Sequence, residues 1–372
     1  MSDTLDRRSF IKAGVGTAAG LASLGAGAGA QADAEQTASG MRTTTLPRSG
    51  QTMPIFGLGT ATLMPQFDSR PTEEKVELIR HAYDRGVRYF DTAAIYRTEP
   101  YVGEALKDVR DDVYLATKVW PQNAASVRPQ VEASLKSLQT DVIDCVKVHL
   151  ASDVKVSLEV LDELEKFKAE GKIRHLGMSN HVFFEVALEL LETGRFEEFL
   201  VARGYFPKGE TEILSPWNAE MRELCVARAD EQGMNIIGMK AMGGFMYGSL
   251  YGLWAPDFEP EKAAMLPAAA IRWCFSDPRF HVYIIGAYDP KDIDDNVRTV
   301  SGDLSLTDDD RMVLADFSTR IWESEMVKQC PRPFSAPGVD DREKIGPGRT
   351  KVFEKVGEYA AKLMQESQGE LS

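Results

Sequence analysis

Between residues 55 and 286, short apolar runs alternate with longer stretches in which apolar positions recur every three or four residues. The short runs fit strands and the longer stretches fit amphipathic helices. Strands are expected at 55–59, 87–91, 113–118, 143–149, 175–179, 200–205, 236–240 and 282–286. Helices are expected at 72–85, 99–107, 127–138, 158–170, 182–193, 219–232 and 263–275. In the first of these Val76, Ile79, Ala82 and Tyr83 share a face, and Gly86 ends the helix. Eight strands, each followed by a helix or its equivalent, predict an α/β fold of the closed parallel kind, a (β/α)8 TIM barrel. An open doubly wound sheet is the alternative, but no Gly-x-Gly-x-x-Gly follows an early strand. Ahead of the barrel, 43–46 and 51–55 flank the turn Pro47-Arg48-Ser49-Gly50 and predict a β-hairpin. Behind it, a helix is expected at 308–322. A Pro/Gly-rich stretch from Cys330 to Gly338 follows, then a helix at 350–368. This C-terminal extension either folds over the barrel mouth or serves between subunits.

The first forty residues differ from the rest. Arg7-Arg8-Ser9-Phe10-Ile11-Lys12 precedes an Ala/Gly/Leu/Val run that ends at Ala28-Gly29-Ala30. A charged start, a weakly apolar middle and a small-x-small end describe a removable export signal, and the paired arginines resemble the twin-arginine type. A cytoplasmic protein with a chance Arg-Arg is the alternative. Glycines interrupt the apolar run, so no stable membrane anchor is expected. The expected divisions are 1–40, signal and linker; 41–325, barrel; and 326–372, extension. Among the 372 residues, 57 acidic against 43 basic side chains give a formal charge of -14, which opposes nucleic acid as a general partner. Cys145, Cys225, Cys274 and Cys330 show no C-x-x-C spacing, so a zinc or iron–sulfur centre is not expected. They are read as free thiols, with Cys145 buried.

In a barrel, function collects where strands end at the C-terminal face. Asp91 ends the second expected strand, Tyr96 lies in the loop after it, Lys118 ends the third and His149 the fourth. Singly, each has an ordinary reading: a turn cap, a packing residue, a solvated lysine, a structural histidine. Together they bring four ionisable groups to one end of three successive strands, as an acid–base site requires. A free phenol titrates near ~10, too high for easy proton transfer at neutral pH. A lysine ammonium beside it favours the phenolate, and a carboxylate keeps that lysine charged and aimed. Tyr96 is then the acid, Lys118 its tuner, Asp91 the support and His149 the partner that orients a carbonyl oxygen.

The run Phe90-Asp91-Thr92-Ala93-x-x-Tyr96-x-x-Glu99-x-x-x-Gly103-x-Ala105-Leu106 resembles the signature of the aldo-keto reductases, with Lys118 and His149 at the remaining tetrad positions. Gly171-Lys172-Ile173-Arg174-x-Leu176-Gly177-x-Ser179-Asn180 resembles that family's fifth-strand motif. Ile284-Ile285-Gly286 with Asp295-Asn296 resembles its cofactor segment near strand eight. The resemblance implies an NAD(P)H-dependent oxidoreductase that interconverts carbonyl and alcohol. It places Ser179 and Asn180 on the nicotinamide carboxamide and Gly286 and Asn296 along the cofactor, with Asn296 toward the adenine. NADP is the family's usual cofactor; NAD stays open, because Lys291 and Arg298 are interleaved with Asp289, Asp292, Asp294 and Asp295.

The chain also departs from the pattern. The family's strand-six glutamine is missing, and Ala202 or Arg203 takes its place. After strand seven, Lys240 and Met242 stand where many members carry an aromatic ring. Lys240 either meets the cofactor pyrophosphate or is a solvated strand end. Met64, Trp120, Phe206 and residues 245–254 are expected around an apolar substrate. These departures leave a second reading, a nicotinamide-binding barrel that acts as sensor or partner subunit with little turnover. A third, an isomerase or sugar enzyme using Asp91 and His149, lacks a visible pair of carboxylates. Export of the folded protein by the twin-arginine machinery would carry the cofactor into the periplasm.

Overall fold

Eight parallel strands close into a barrel in the order β10-β3-β4-β5-β6-β7-β8-β9. They are β3 (Phe56–Gly59), β4 (Tyr89–Asp91), β5 (Tyr114–Val119), β6 (Ile143–His149), β7 (Ile173–Asn180), β8 (Glu198–Ala202), β9 (Asn235–Met239) and β10 (Val282–Ile285). The helices after them are α1 (Thr72–Asp84), α2 (Glu99–Leu106), α3 (Val127–Ser137), α4 (Val154–Ala169), α5 (Phe184–Leu191), α6 (Pro216–Glu231), α7 (Pro260–Cys274), α8 (Pro290–Ser301) and α9 (Asp308–Glu323). This computed structural model describes residues 40–65, 68–181, 183–205, 216–242, 255 and 257–323. The expected export signal, Phe206, residues 245–254, Cys330 and the helix expected at 350–368 lie outside the described residues. Among the described residues no helix is long and apolar enough to cross a membrane.

Most element bounds shift by a few residues from the sequence pattern, and two of the shifts have a visible physical reason. Helix α4 begins at Val154, earlier than 158, because the Asp153 carboxylate accepts the Val156 N–H and caps the turn. Strand β8 covers Glu198–Ala202, not 200–205. Its ladder with β9 runs from Glu198 opposite Asn235 to Ala202 opposite Met239. The chain then turns away at Gly204, where any Cβ would collide with the Lys240 carbonyl oxygen. The acidic run near 290 opens α8, with Asp289 accepting the Asp292 N–H.

Apolar side chains fill two layers. Phe56, Phe90, Val119, Val148, Phe167, Met178 and Phe199 pack between strands and helices. Tyr89, Tyr114, Ala116, Cys145, Leu200, Ile237, Val282 and Ile284 fill the barrel interior. The hairpin of β1 (Thr43–Thr45) and β2 (Thr52–Pro54) adds Leu46 and Met53 to that interior cluster. Its turn is held because the Arg48 N–H donates to Asn235 Oδ1 at 3.0 Å and the Arg48 guanidinium to the Gln232 carbonyl at 2.6 Å. The hairpin therefore closes the end where β9 starts and leaves the C-terminal ends of the strands as the mouth. Cys145, Cys225 and Cys274 are buried free thiols, as the sequence suggested.

Helix α2, which follows the Tyr96 loop, sits close on the end of α3. A Cβ on Gly103 would lie 2.5 Å from the Ser137 carbonyl oxygen and 2.7 Å from the Leu138 carbonyl carbon, both rigid backbone. Gly103→Ala is expected to cost about 1–3 kcal/mol through overpacking, read as a lower urea midpoint at unchanged slope. An unchanged midpoint would mean that the helices stand farther apart than described.

Candidate active site

Side chains alternate inward and outward along each strand, and the parity here is set by chemistry. Asp91 and His149 end their strands and Lys118, expected to end its own, is the last residue but one; all three point inward and are buried. Tyr96 lies on a single 3-10 turn, Ala94–Tyr96, directly after β4. Three buried threonines pin that loop. Thr98 Oγ1 lies 2.8 Å from Thr92 Oγ1 and 2.9 Å from Thr60 Oγ1, and Thr60 also donates to the Asp91 carbonyl at 3.2 Å. Glu99, the next residue, accepts from the Thr117 hydroxyl at 2.6 Å, while burial raises its pKa. Much of the signature around Tyr96 thus builds the platform and not the reaction.

The Lys118 ammonium donates to Asp91 Oδ1 in a short ion pair and to the Thr92 carbonyl at 2.7 Å. It stands 5.0 Å from the centre of the Tyr96 ring, so a cation faces the phenol as the sequence chemistry requires. Burial lowers the Lys118 pKa below the ordinary lysine value; Asp91 opposes that and a second cation, Lys147, adds to it. His149 meets Tyr96 edge-on at 5.7 Å between ring centres, and Trp120 at 5.5 Å. All four expected acid–base residues therefore converge on one end of the barrel.

Three neighbours escaped the sequence reading. His181 lies 6.4 Å from His149, ring centre to ring centre. Lys147 is fully buried and donates to Asp91 Oδ2 at 3.1 Å, to Glu198 Oε1 at 2.9 Å and to the Tyr89 hydroxyl at 3.1 Å. Glu198, equally buried, accepts from the Tyr89 hydroxyl at 2.6 Å and the Tyr114 hydroxyl at 2.9 Å. A signal for Lys147 was available: it precedes the inward His149 by two residues, so it must share its face. Glu198 carried none, because its partners lie on β4, β5 and β6.

Around the mouth, Arg97, Leu150, Phe183 and Lys240 adopt the left-handed backbone with φ of 60°, 53°, 59° and 65°. Each lies just past a strand end or the Tyr96 turn, and non-glycine residues in that region cluster where function constrains a loop. Ser179 is in register with His149 and buried, and its hydroxyl has no hydrogen-bond partner among the described residues. Asn180 Nδ2 donates to the Ala151 carbonyl at 2.9 Å. Ala202 points inward, where the missing glutamine would be. Arg203 points outward, stacked on Trp273 at 4.8 Å and paired with Glu223 and Asp277. Lys240 is half-buried. Gly286 is exposed, and a Cβ there would lie 2.5 Å from Thr62 Cγ2. Asn296 is buried on α8. The acids nearby are engaged locally: Asp292 takes the Tyr288 N–H, Asp294 takes His81 and Arg85, and Asp295 takes Lys291 and Arg298. Of the expected pocket residues, Met64 is buried, while Trp120 is exposed, as is Ile95 on the Tyr96 turn. Among the described residues no cluster of His, Cys, Asp and Glu could hold a metal ion.

This chain is similar to proteins of known kind. It is 34% identical over 136 residues to the methylglyoxal reductase DkgB of Yersinia pestis, covering 34% of this chain and 48% of that one. It is 32% identical over 174 residues to the NADP-dependent D-sorbitol-6-phosphate dehydrogenase of Malus domestica, covering 39% and 54%. The chain spans about half the length of the curated relatives it matches. Its fold is similar to that of an aldo/keto reductase from Klebsiella pneumoniae solved with NADP and acetate, with a TM-score of 0.53 at 22% identity over 74% of this chain and 95% of that one. The profile of the Aldo/keto reductase family matches residues 56–251, more than half of the chain, and the protein belongs to that family.

Proposed function

We propose that the protein is an NADPH-dependent carbonyl reductase acting on small aldehydes and ketones, with 2-oxoaldehydes as the first class to test. The observation that carries this reading is the contact of the Lys118 ammonium with both the Asp91 carboxylate and the Tyr96 ring at the barrel mouth. A methylglyoxal reductase among the relatives supports the substrate class, and an NADP-dependent relative supports the cofactor. The exposed side chains of Ile95 and Trp120 give a small apolar carbonyl compound a surface beside Tyr96.

The residues present fit a nicotinamide nucleotide. The unsatisfied, buried Ser179 hydroxyl suits a carboxamide, because an orphaned polar atom costs about 1–3 kcal/mol. Ser179 and Asn180 would hold that end, and Lys240, Gly286 and Asn296 the rest of the cofactor. When bound, the nicotinamide supplies the hydride. The chain itself handles the proton. Tyr96 gives its phenolic proton to the carbonyl oxygen, and Lys118 stabilises the phenolate left behind. Asp91 keeps Lys118 charged and aimed. The His149 ring orients the oxygen against the phenol. Ala202 in place of the glutamine leaves the carboxamide one partner fewer, which favours the second reading, a binding barrel with little turnover.

The paired arginines at Arg7-Arg8 support export by the twin-arginine route and a periplasmic location, with residues 1–40 as signal and linker; residues 326–372 are read as a C-terminal extension. Folded export offers the cofactor a route into the periplasm, held tightly inside the barrel. Mass spectrometry of denatured periplasmic protein should release one nicotinamide nucleotide per chain. Protein that is active only after added NADPH and releases none would contradict this.

Tyr96→Phe should lower kcat for carbonyl reduction by about 10²–10⁴-fold, the usual contribution of a general acid, while NADPH fluorescence still reports binding. Unchanged turnover would remove Tyr96 from the acid's role. Ser179→Ala should weaken NADPH binding about two- to tenfold, the worth of one hydrogen bond. Binding of 2′-phospho-ADP-ribose, which lacks the nicotinamide, should not change. Equal loss for both ligands would place Ser179 away from the carboxamide.

A further inference from the structure

The barrel interior below the tetrad holds a structure that the acid–base reading does not use. One continuous row of registered positions crosses five strands: Lys118 opposite Lys147, Lys147 opposite Gly177, Gly177 opposite Glu198, and Glu198 opposite Asn235. Two lysines therefore lie side by side, both inward and both buried. Gly177 offers no side chain between Lys147 and Glu198, and a Cβ there would lie 2.9 Å from Lys147 Cγ. The gap lets the Lys147 stem cross the row and reach Glu198 Oε1 at 2.9 Å.

The carboxylate of Asp91 is shared: Oδ1 takes Lys118 and Oδ2 takes Lys147. Counting Asp91, Lys118, Lys147 and Glu198, the cluster is neutral. Interiors of such barrels are usually filled with branched apolar side chains, and a buried ion pair is often no more stable than apolar residues of the same volume. A lysine here is therefore poorly explained by packing alone. It is well explained by the second oxygen of Asp91, which it holds in place while Lys118 holds the first.

We propose that Lys147, anchored by Glu198, is a positioning residue that orients Asp91 and sets the charge beneath the Tyr96–Lys118 couple. This rests on the reading of Tyr96 as the acid. The groups facing the cluster are Tyr89 and Asp91 from β4, Tyr96 from its loop and Glu99 from α2. Tyr114 and Lys118 face it from β5, Cys145 and His149 from β6 itself, His175 from β7, and Glu198 from β8. Burial alone would lower the Lys147 pKa, but Glu198 and Asp91 outweigh it and hold the ammonium charged. Burial likewise works against an ionised Glu198, and Lys147 with the two phenols keeps it ionised. A permanent cation one carboxylate away from Lys118 disfavours a proton on the Tyr96–Lys118 couple. With Lys147 and the more distant Glu198 both neutralised, Asp91 belongs to Lys118 alone, and the couple holds its proton to higher pH.

The test reads the phenol and not turnover. Lys147→Met alone strands the Glu198 charge in the core and can fail to fold, so the pair Lys147→Met/Glu198→Gln keeps the cluster neutral. Tyrosinate absorbance is titrated in the full chain and in this double variant, each against the same protein carrying Tyr96→Phe, so that the difference belongs to Tyr96. Tyr89, Tyr114 and Tyr283 do not interfere, because burial holds all three well above the ordinary tyrosine value. The expected result is a Tyr96 phenol below ~10 in the unaltered chain that rises by about one pH unit in the double variant. A folded double variant with an unmoved, still lowered Tyr96 overturns the role of Lys147 and leaves the reductase reading standing. A Tyr96 phenol already near ~10 in the unaltered chain overturns the acid assignment, and this inference with it.

Discussion

A single carboxylate inside the barrel lies between two ammonium groups, and the rest of the site depends on it. Asp91 occupies the end of β4, Lys118 the last position but one of β5, and Lys147 the neighbouring position on β6. Two buried cations in adjacent registered positions repel each other and lose their hydration. The carboxylate opposes that penalty on both, with Glu198 helping at Lys147. With Asp91 in place the Lys118 ammonium is aimed at the Tyr96 ring. Parallel closure of the barrel makes this possible, because it brings the ends of β4, β5 and β6 to one face with their inward residues in step.

The scaffold around that carboxylate is built from short polar links. Thr60, Thr92 and Thr98 tie the Tyr96 loop to the strands beside it, and the left-handed residue Arg97 turns the chain into α2. The same device recurs after His149, after Asn180 and at Lys240. Four exits from the barrel thus carry a left-handed non-glycine residue, the kind of backbone strain that clusters where function constrains a loop. At the end of β8, Arg203 leaves the interior to pair with Glu223 on α6 and stack on Trp273 on α7, and Ala202 takes the inward position.

Much of this was legible in the sequence. The alternation of periods gave all eight barrel strands, and the hairpin was marked by its Pro/Gly turn. Asp91, Tyr96, Lys118 and His149 could be found because each ends a strand or begins the loop after it. What escaped was the part set by contacts between distant strands. Glu198, just before the run Phe199-Leu200-Val201-Ala202, reads as a boundary residue, and the expected β8 began two residues too late. Its burial depends on Lys147, Tyr89 and Tyr114, which no local pattern reveals. Lys147 was accessible through parity with His149, yet a lysine within an apolar strand is easily read as an interruption. The choice between Ala202 and Arg203 likewise needed the true end of β8, since a slip of one residue exchanges inside for outside.

Direct transfer to a carbonyl carbon is the claim on which the account stands. The most direct measurement follows the label from NADPH deuterated at the transferring position of the nicotinamide, with the purified protein and a panel of small 2-oxoaldehydes, aldehydes and ketones. Mass spectrometry of the alcohol products should find one deuterium in the new C–H bond of at least one substrate. NADPH that binds tightly but passes no label to any carbonyl of the panel would contradict the account and leave a barrel that holds its nucleotide without using it.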